Sequence, residues 1–102
     1  MFLITMVRLY FRGSLKDIFP GEYEIKIPEK KRFMELIEIL NNKFGEKVYQ
    51  YVHRPNGNTE SPSLIIIKRN GKMDKGAFAS EILEEIIEPS DEIYFFSLIA
   101  GG

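Results

Sequence analysis

The chain has 102 residues, with 14 Lys and Arg against 15 Asp and Glu, a formal charge of -1 and no cysteine. That length suits one domain with a core of its own. The even charge gives no global electrostatic reason to bind nucleic acid or an anionic membrane, and the lack of cysteine excludes disulfides, thiolate nucleophiles and cysteine-ligated metals. The apolar start, Met1 to Val7, is too short to span a bilayer and has neither a basic leader nor a small-residue cleavage site. The expectation is a soluble, cytoplasmic protein. Met6 offers a second start, which makes residues 1–5 a candidate N-terminal extension.

Val7, Leu9 and Phe11 alternate with Arg8, Tyr10 and Arg12, the period of a half-buried strand. Gly13-Ser14 and Pro20-Gly21 mark a connection. Tyr23, Ile25 and Ile27 then alternate with Glu22, Glu24 and Lys26, so a second strand is expected to pair with the first and to end at Pro28. From Glu29 the period changes. Phe33, Ile37, Leu40 and Phe44, with Leu36 beside them, recur at helical spacing, which predicts an amphipathic helix of about four turns. Gly45 is its natural stop, because glycine accepts the left-handed conformation that closes a last turn.

Residues 46–62 read as an insertion: a short strand over Val48 to His53, then a loop with a tight turn at Asn56-Gly57. Ser63 to Lys68 is a β-branched apolar run and predicts a buried strand. Asn70-Gly71 signals a two-residue hairpin. Ala79 to Ile87 reads as a short helical turn, and Pro89-Ser90 leads into a last strand from Asp91 to Ile99. The chain then runs Ala100-Gly101-Gly102, a thin, pliable stalk.

Two strands, one helix, an insertion, and two further strands call for an α+β arrangement, a mixed sheet packed on one main helix. The first and last strands are expected side by side at its centre, as in the ubiquitin-like β-grasp fold. The last strand carries the most information. Ile93, Tyr94, Phe95 and Phe96 make both of its faces apolar, while one helix covers only one face. The other face is expected to show Tyr94 and Phe96 beside Tyr10 and Ile66, an apolar patch next to the tail that reads as a partner site. The alternative is that residues 46–62 or 73–88 fold over it.

Three stretches resemble the MoaD/ThiS family of sulfur carriers, which holds the small subunit of molybdopterin synthase, the thiamine sulfur carrier and related ubiquitin-like modifiers. They are Ile65-Ile66-Ile67-Lys68-Arg69-Asn70-Gly71, Ser90-Asp91-Glu92-Ile93-Tyr94-Phe95-Phe96, and Gly101-Gly102. The resemblance runs from about residue 6 onward. Three departures accompany it. Ser90 stands where the family often has glycine, Ser97 and Leu98 stand where the molybdopterin branch often has prolines, and residues 46–62 are longer than a minimal member needs.

The resemblance implies a chain that is not an enzyme by itself and binds no cofactor or metal. An E1-like adenylating enzyme, supplying ATP and Mg²⁺, would adenylate the Gly102 carboxylate. A sulfur donor protein would convert it to a thiocarboxylate, and the large subunit of molybdopterin synthase would receive it. Gly102 would be the covalent participant, Gly101 would give slimness, and Leu98, Ile99 and Ala100 would share partner binding with Tyr94, Phe96, Tyr10 and Ile66. Two other functions fit the same residues: a modifier joined through Gly102 to lysines, and an interaction module with an inert tail. The residues show no nucleophile–base pair, no phosphate loop and no metal set.

Elsewhere the bland readings prevail. His53 is the only histidine and is expected on the surface. Glu81, Glu84, Glu85 and Glu88 read as the solvated face of a helical stretch. The basic cluster Lys68, Arg69, Lys72 and Lys75 either meets acidic groups or phosphates of a partner or is simply solvated.

Overall fold

The computed structural model describes residues 6–52 and 63–97. β1 (Met6–Arg12) and β2 (Glu22–Lys26) pair antiparallel, with Met6 opposite Lys26 and Tyr10 opposite Glu22. Their connection contains a 3₁₀ turn, Gly13–Asp17, and it sends Leu15 and Phe19 into the core. After Ile27 the chain forms β3 (Lys31–Arg32), α1 (Phe33–Phe44) and α2 (Lys47–Tyr51). β4 (Ser63–Arg69) and β5 (Lys72–Phe78) make a hairpin; a 3₁₀ turn at Ala79–Glu81, β6 (Ile86–Ile87) and β7 (Glu92–Ser97) follow.

The main sheet runs β2-β1-β7-β4-β5, and β3 pairs with β6 in a small second sheet. β1 and β7 are parallel and central, as expected; the other pairings in the main sheet are antiparallel. The reason lies in composition. Val7, Leu9 and Phe11 from β1 and Ile93 and Phe95 from β7 are all buried on the inner face, and only central strands can be covered that fully. α1 buries Phe33, Leu36, Ile37 and Leu40 toward that face. The Phe11 ring stacks on Phe95 at 4.8 Å and on Phe19 at 4.7 Å.

The hairpin at Asn70-Gly71 forms as predicted, with φ of 55° and 77°, and Arg69 faces Lys72 across the turn. α1 stops at Gly45, as predicted, but with φ 81° and ψ -162°, an extended glycine-only conformation in place of the left-handed helical one expected.

Four local expectations are corrected. α1 begins at Phe33 rather than Glu29 and spans 12 residues. Lys31 and Arg32 instead pair with Ile87 and Ile86, and the Arg32 backbone N–H donates to Glu35 Oε2 at 2.8 Å, which caps the helix there. The strand expected over Val48 to His53 is α2, because Val48 and Val52 sit one turn apart and both reach the core. The helical turn expected over Ala79 to Ile87 is a 3₁₀ turn followed by the β6 strand. The glutamates there are not a helical face. Glu81 accepts the Phe78 N–H at 2.9 Å, and Glu84, Glu85 and Glu88 pair with Arg32, Lys75 and Arg69. His53 and the Asn56-Gly57 turn lie outside the described residues.

Candidate functional site

The strand alternation that buries Ile93 and Phe95 turns Glu92, Tyr94 and Phe96 to the sheet's outer face. Register then selects their neighbours. Tyr94 lies between Tyr10 on β1 and Ile66 on β4, and Phe96 lies between Arg12 and Leu64. The four residues expected to form a patch, Tyr10, Ile66, Tyr94 and Phe96, are thus brought together, and each stays partly exposed. α2 does not cover them, since its apolar residues point to the core instead; the rest of the insertion, residues 53–62, lies outside the described residues. Residues 73–88 do not fold back across the face either. β5 extends the sheet, and β6 leaves to pair with β3.

The rings form a ladder. Tyr10 and Tyr94 stack at 4.6 Å and 15°, and Tyr94 and Phe96 follow at 6.4 Å and 14°. Two cations close on it. The Arg12 guanidinium lies 5.1 Å from the Tyr10 ring centroid and 5.8 Å from that of Tyr94, and Lys68 Nζ lies 4.8 Å from Tyr94. The Tyr10 hydroxyl donates to Glu92 Oε2 at 3.1 Å. Burial, followed by that hydrogen bond and the Glu92 charge, pushes the Tyr10 hydroxyl above its ordinary value.

Three neighbours escaped the sequence reading. Leu64 faces Phe96 and was readable from strand alternation. Phe78 and Met73, 42% and 66% exposed, extend the apolar surface to the β5 edge. Their placement depends on an irregularity between Ile67 and Lys68. Lys68 faces Met73 but Ile67 faces Lys75, so Asp74 is an extra residue on β5. The bulge puts Gly76 opposite Ile66 on the outer face, a place that an unbroken register gives to Lys75. Lys75 instead reaches Glu85 at 2.8 Å, which pushes its ammonium up from the ordinary value.

The basic cluster beside the hairpin is largely engaged within the chain. Arg69 donates to Asp91 and pairs with Glu88, and the Asp91 hydrogen bond, offset in part by burial, holds the guanidinium above its already high ordinary value. Leu98, Ile99, Ala100, Gly101 and Gly102 lie outside the described residues. Among the described residues no group of three or more His, Asp or Glu is placed to hold a metal, and no helix is long and apolar enough to cross a membrane.

A mixed sheet with parallel central β1 and β7, packed on one main helix, is the ubiquitin-like β-grasp fold. No protein-family model matches the sequence, and no curated protein does. Solved structures do. A chain from Pyrococcus furiosus assigned as molybdopterin converting factor subunit 1 is 20% identical, with a TM-score of 0.65, over 93% of this chain and 99% of that one. Small archaeal modifier protein 1 from Methanosarcina acetivorans is 19% identical, with a TM-score of 0.62, over 96% and 97%. Urm1 from Trypanosoma brucei is 15% identical, with a TM-score of 0.68, over the full length of both chains. The fold implied by the sequence resemblance is therefore the fold observed.

Proposed function

We infer that the chain is a carrier whose Gly102 carboxylate is activated by a separate adenylating enzyme, converted to a thiocarboxylate, and used to deliver sulfur in molybdopterin assembly. The observation that carries this reading is the half-exposed ladder of Tyr10 on β1 with Tyr94 and Phe96 on β7, the strand whose sequence continues directly into residues 98–102. An apolar face beside a slim tail lets a partner grip the body while its own site works on the terminus. The likeness to the Pyrococcus furiosus chain assigned as molybdopterin converting factor subunit 1 supports the choice of acceptor.

The chemistry divides between the two proteins. A carboxylate is a poor electrophile. Its oxygen attacks the α-phosphorus of ATP, pyrophosphate leaves, and the resulting acyl-adenylate carries a good leaving group. The terminal sulfur of a donor persulfide attacks the carbonyl carbon and AMP departs. A second thiol then cleaves the acyl disulfide, leaving the thiocarboxylate and an ordinary disulfide. ATP, Mg²⁺ and both thiols belong to other proteins in this scheme, and the chain supplies the reacting carbon and its positioning. The large subunit of molybdopterin synthase takes the charged carrier, in the cytoplasm.

A second reading shares the activation step. An amine in place of sulfur makes an isopeptide bond to a target lysine, and the likeness to small archaeal modifier protein 1 favours it. The test of the shared step is ATP–pyrophosphate exchange by the organism's adenylating enzyme with this chain as substrate. Exchange with the native chain, and none when one residue is appended after Gly102, supports the reading. Equal exchange by the untrimmed extended chain overturns it.

A further inference from the structure

We propose that Arg12 and Lys68 are specificity residues of the docking face, and that the partner surface seated there is apolar at its centre with a carboxylate opposite each of them. The proposal rests on the carrier reading and names the chemistry of its adenylating partner. Both cations are partly buried already, lying against ring faces of the ladder. Among the described residues neither forms an ion pair: Lys68 stands opposite Glu92 without one, and Glu92 Oε2 accepts from the Tyr10 hydroxyl instead. Within those residues Arg12 donates to the carbonyls of Phe11 at 3.4 Å and Gly21 at 3.3 Å. A partner that covers the rings also removes water from these two charges, and an uncompensated charge in such a place is costly. Carboxylates on the partner turn that cost into charge-assisted hydrogen bonds. Arg12 stands opposite Phe96 and Lys68 opposite Glu92, so the cations mark the two ends of β7 and set the axis along which the partner lies.

Rings with cations also suit single-stranded nucleic acid. Here, however, the Tyr10 and Tyr94 faces are taken by each other and by the two cations. By register Glu22, Glu24 and Glu92 share the outer face with Arg8 and Lys26, so the charges alternate and form no continuous basic track for a phosphate backbone. A protein surface that places single carboxylates opposite Arg12 and Lys68 is the better match.

The test is pyrophosphate exchange by the organism's purified adenylating enzyme, with the carrier as varied substrate. Arg12→Glu and Lys68→Glu are each expected to raise the KM for the carrier by about tenfold or more with kcat nearly constant, and Arg12→Lys to restore most of the loss. The wild-type KM is expected to rise with added salt. An unchanged KM in both reversal variants, at wild-type melting temperature, overturns the proposal. So does a wild-type KM that salt does not move, a measurement that holds even where a variant fails to fold. Binding of oligouridylate that Arg12→Glu abolishes overturns it in favour of nucleic acid. Absence of exchange with the wild-type chain itself removes the carrier reading and the proposal together, an outcome distinct from an Arg12-specific failure.

Discussion

Arg69 grips the carboxylate of Asp91 with two parallel hydrogen bonds, Nε to Oδ1 at 3.0 Å and Nη2 to Oδ2 at 2.8 Å. The first residue ends β4 and the second opens the approach to β7, so the pair locks the hairpin to the central strand. Asp91 is 1% exposed, and its Oδ2 also accepts the Glu88 N–H at 2.9 Å. Arg69→Ala leaves a carboxylate buried without its counter-charge and is expected to destabilise the fold by about 3 kcal/mol. Arg69→Lys recovers part of this, since one ammonium cannot match a two-pronged contact. Chemical denaturation of the two variants measures both. With its guanidinium value raised above an already high ordinary one, Arg69 contributes fully below its unfolded value and loses the contribution only as pH rises through the folded one, so added base in the ordinary range leaves the pair intact.

Ser90 occupies a backbone conformation that glycine prefers, with φ of 76°. The Asp91 N–H donates back to Glu88 O at 3.1 Å, and Pro89 lies between, the pattern of a type II turn with Ser90 at its third position. An L-residue there is strained by about 1 kcal/mol, less what glycine loses in unfolded-chain entropy. Ser90→Gly is expected to raise stability by up to about 0.5 kcal/mol, read as a slightly higher melting temperature. A lower one contradicts the turn assignment.

The hydroxyl of Tyr10 links titration to stability. Its folded value lies above the unfolded 10.0, so the neutral hydroxyl stabilises fully below pH 10.0, and that contribution fades as pH rises through the folded value. Glu92→Gln removes a charge that opposes the phenolate. The Tyr10 titration, followed by NMR of ring-labelled tyrosine, is expected to move down in this variant yet stay above 10.0, because burial is the larger cause.

Much of this was legible in the chain because period and punctuation agree. Val7, Leu9 and Phe11 fix the face of β1, Asn70-Gly71 fixes the β4–β5 hairpin, and the doubly apolar Ile93 to Phe96 run announces a central strand with a second apolar face that the main helix leaves uncovered. What was not legible depends on contacts between distant segments. Val48 to Val52 has β-prone residues, and its helix is decided by burial of Val48 and Val52 in the core. The extra residue at Asp74 has no sequence mark, yet it decides whether Gly76 or Lys75 stands beside Ile66. The two cations on the ladder were visible only as parts of a strand and of a basic cluster.

That bulge gives a further expectation. Deleting Asp74 straightens the register and turns Lys75 toward Ile66 on the open face, away from Glu85. The deletion is expected to leave the core folded, as judged by amide exchange of β1 and β7, and to weaken activation of the chain by its partner. Unaltered activation argues that the β5 side of the face takes no part in docking.

The central claim concerns the carbonyl carbon of Gly102. Intact-mass measurement of the protein recovered from its own host addresses it without any reconstituted partner. The account predicts a fraction whose mass exceeds that of the bare chain by the difference between sulfur and oxygen, localised to Gly102 and lost on alkaline hydrolysis. A population carrying only an unmodified carboxylate, from cells actively making the cofactor and handled without hydrolysis, would contradict it.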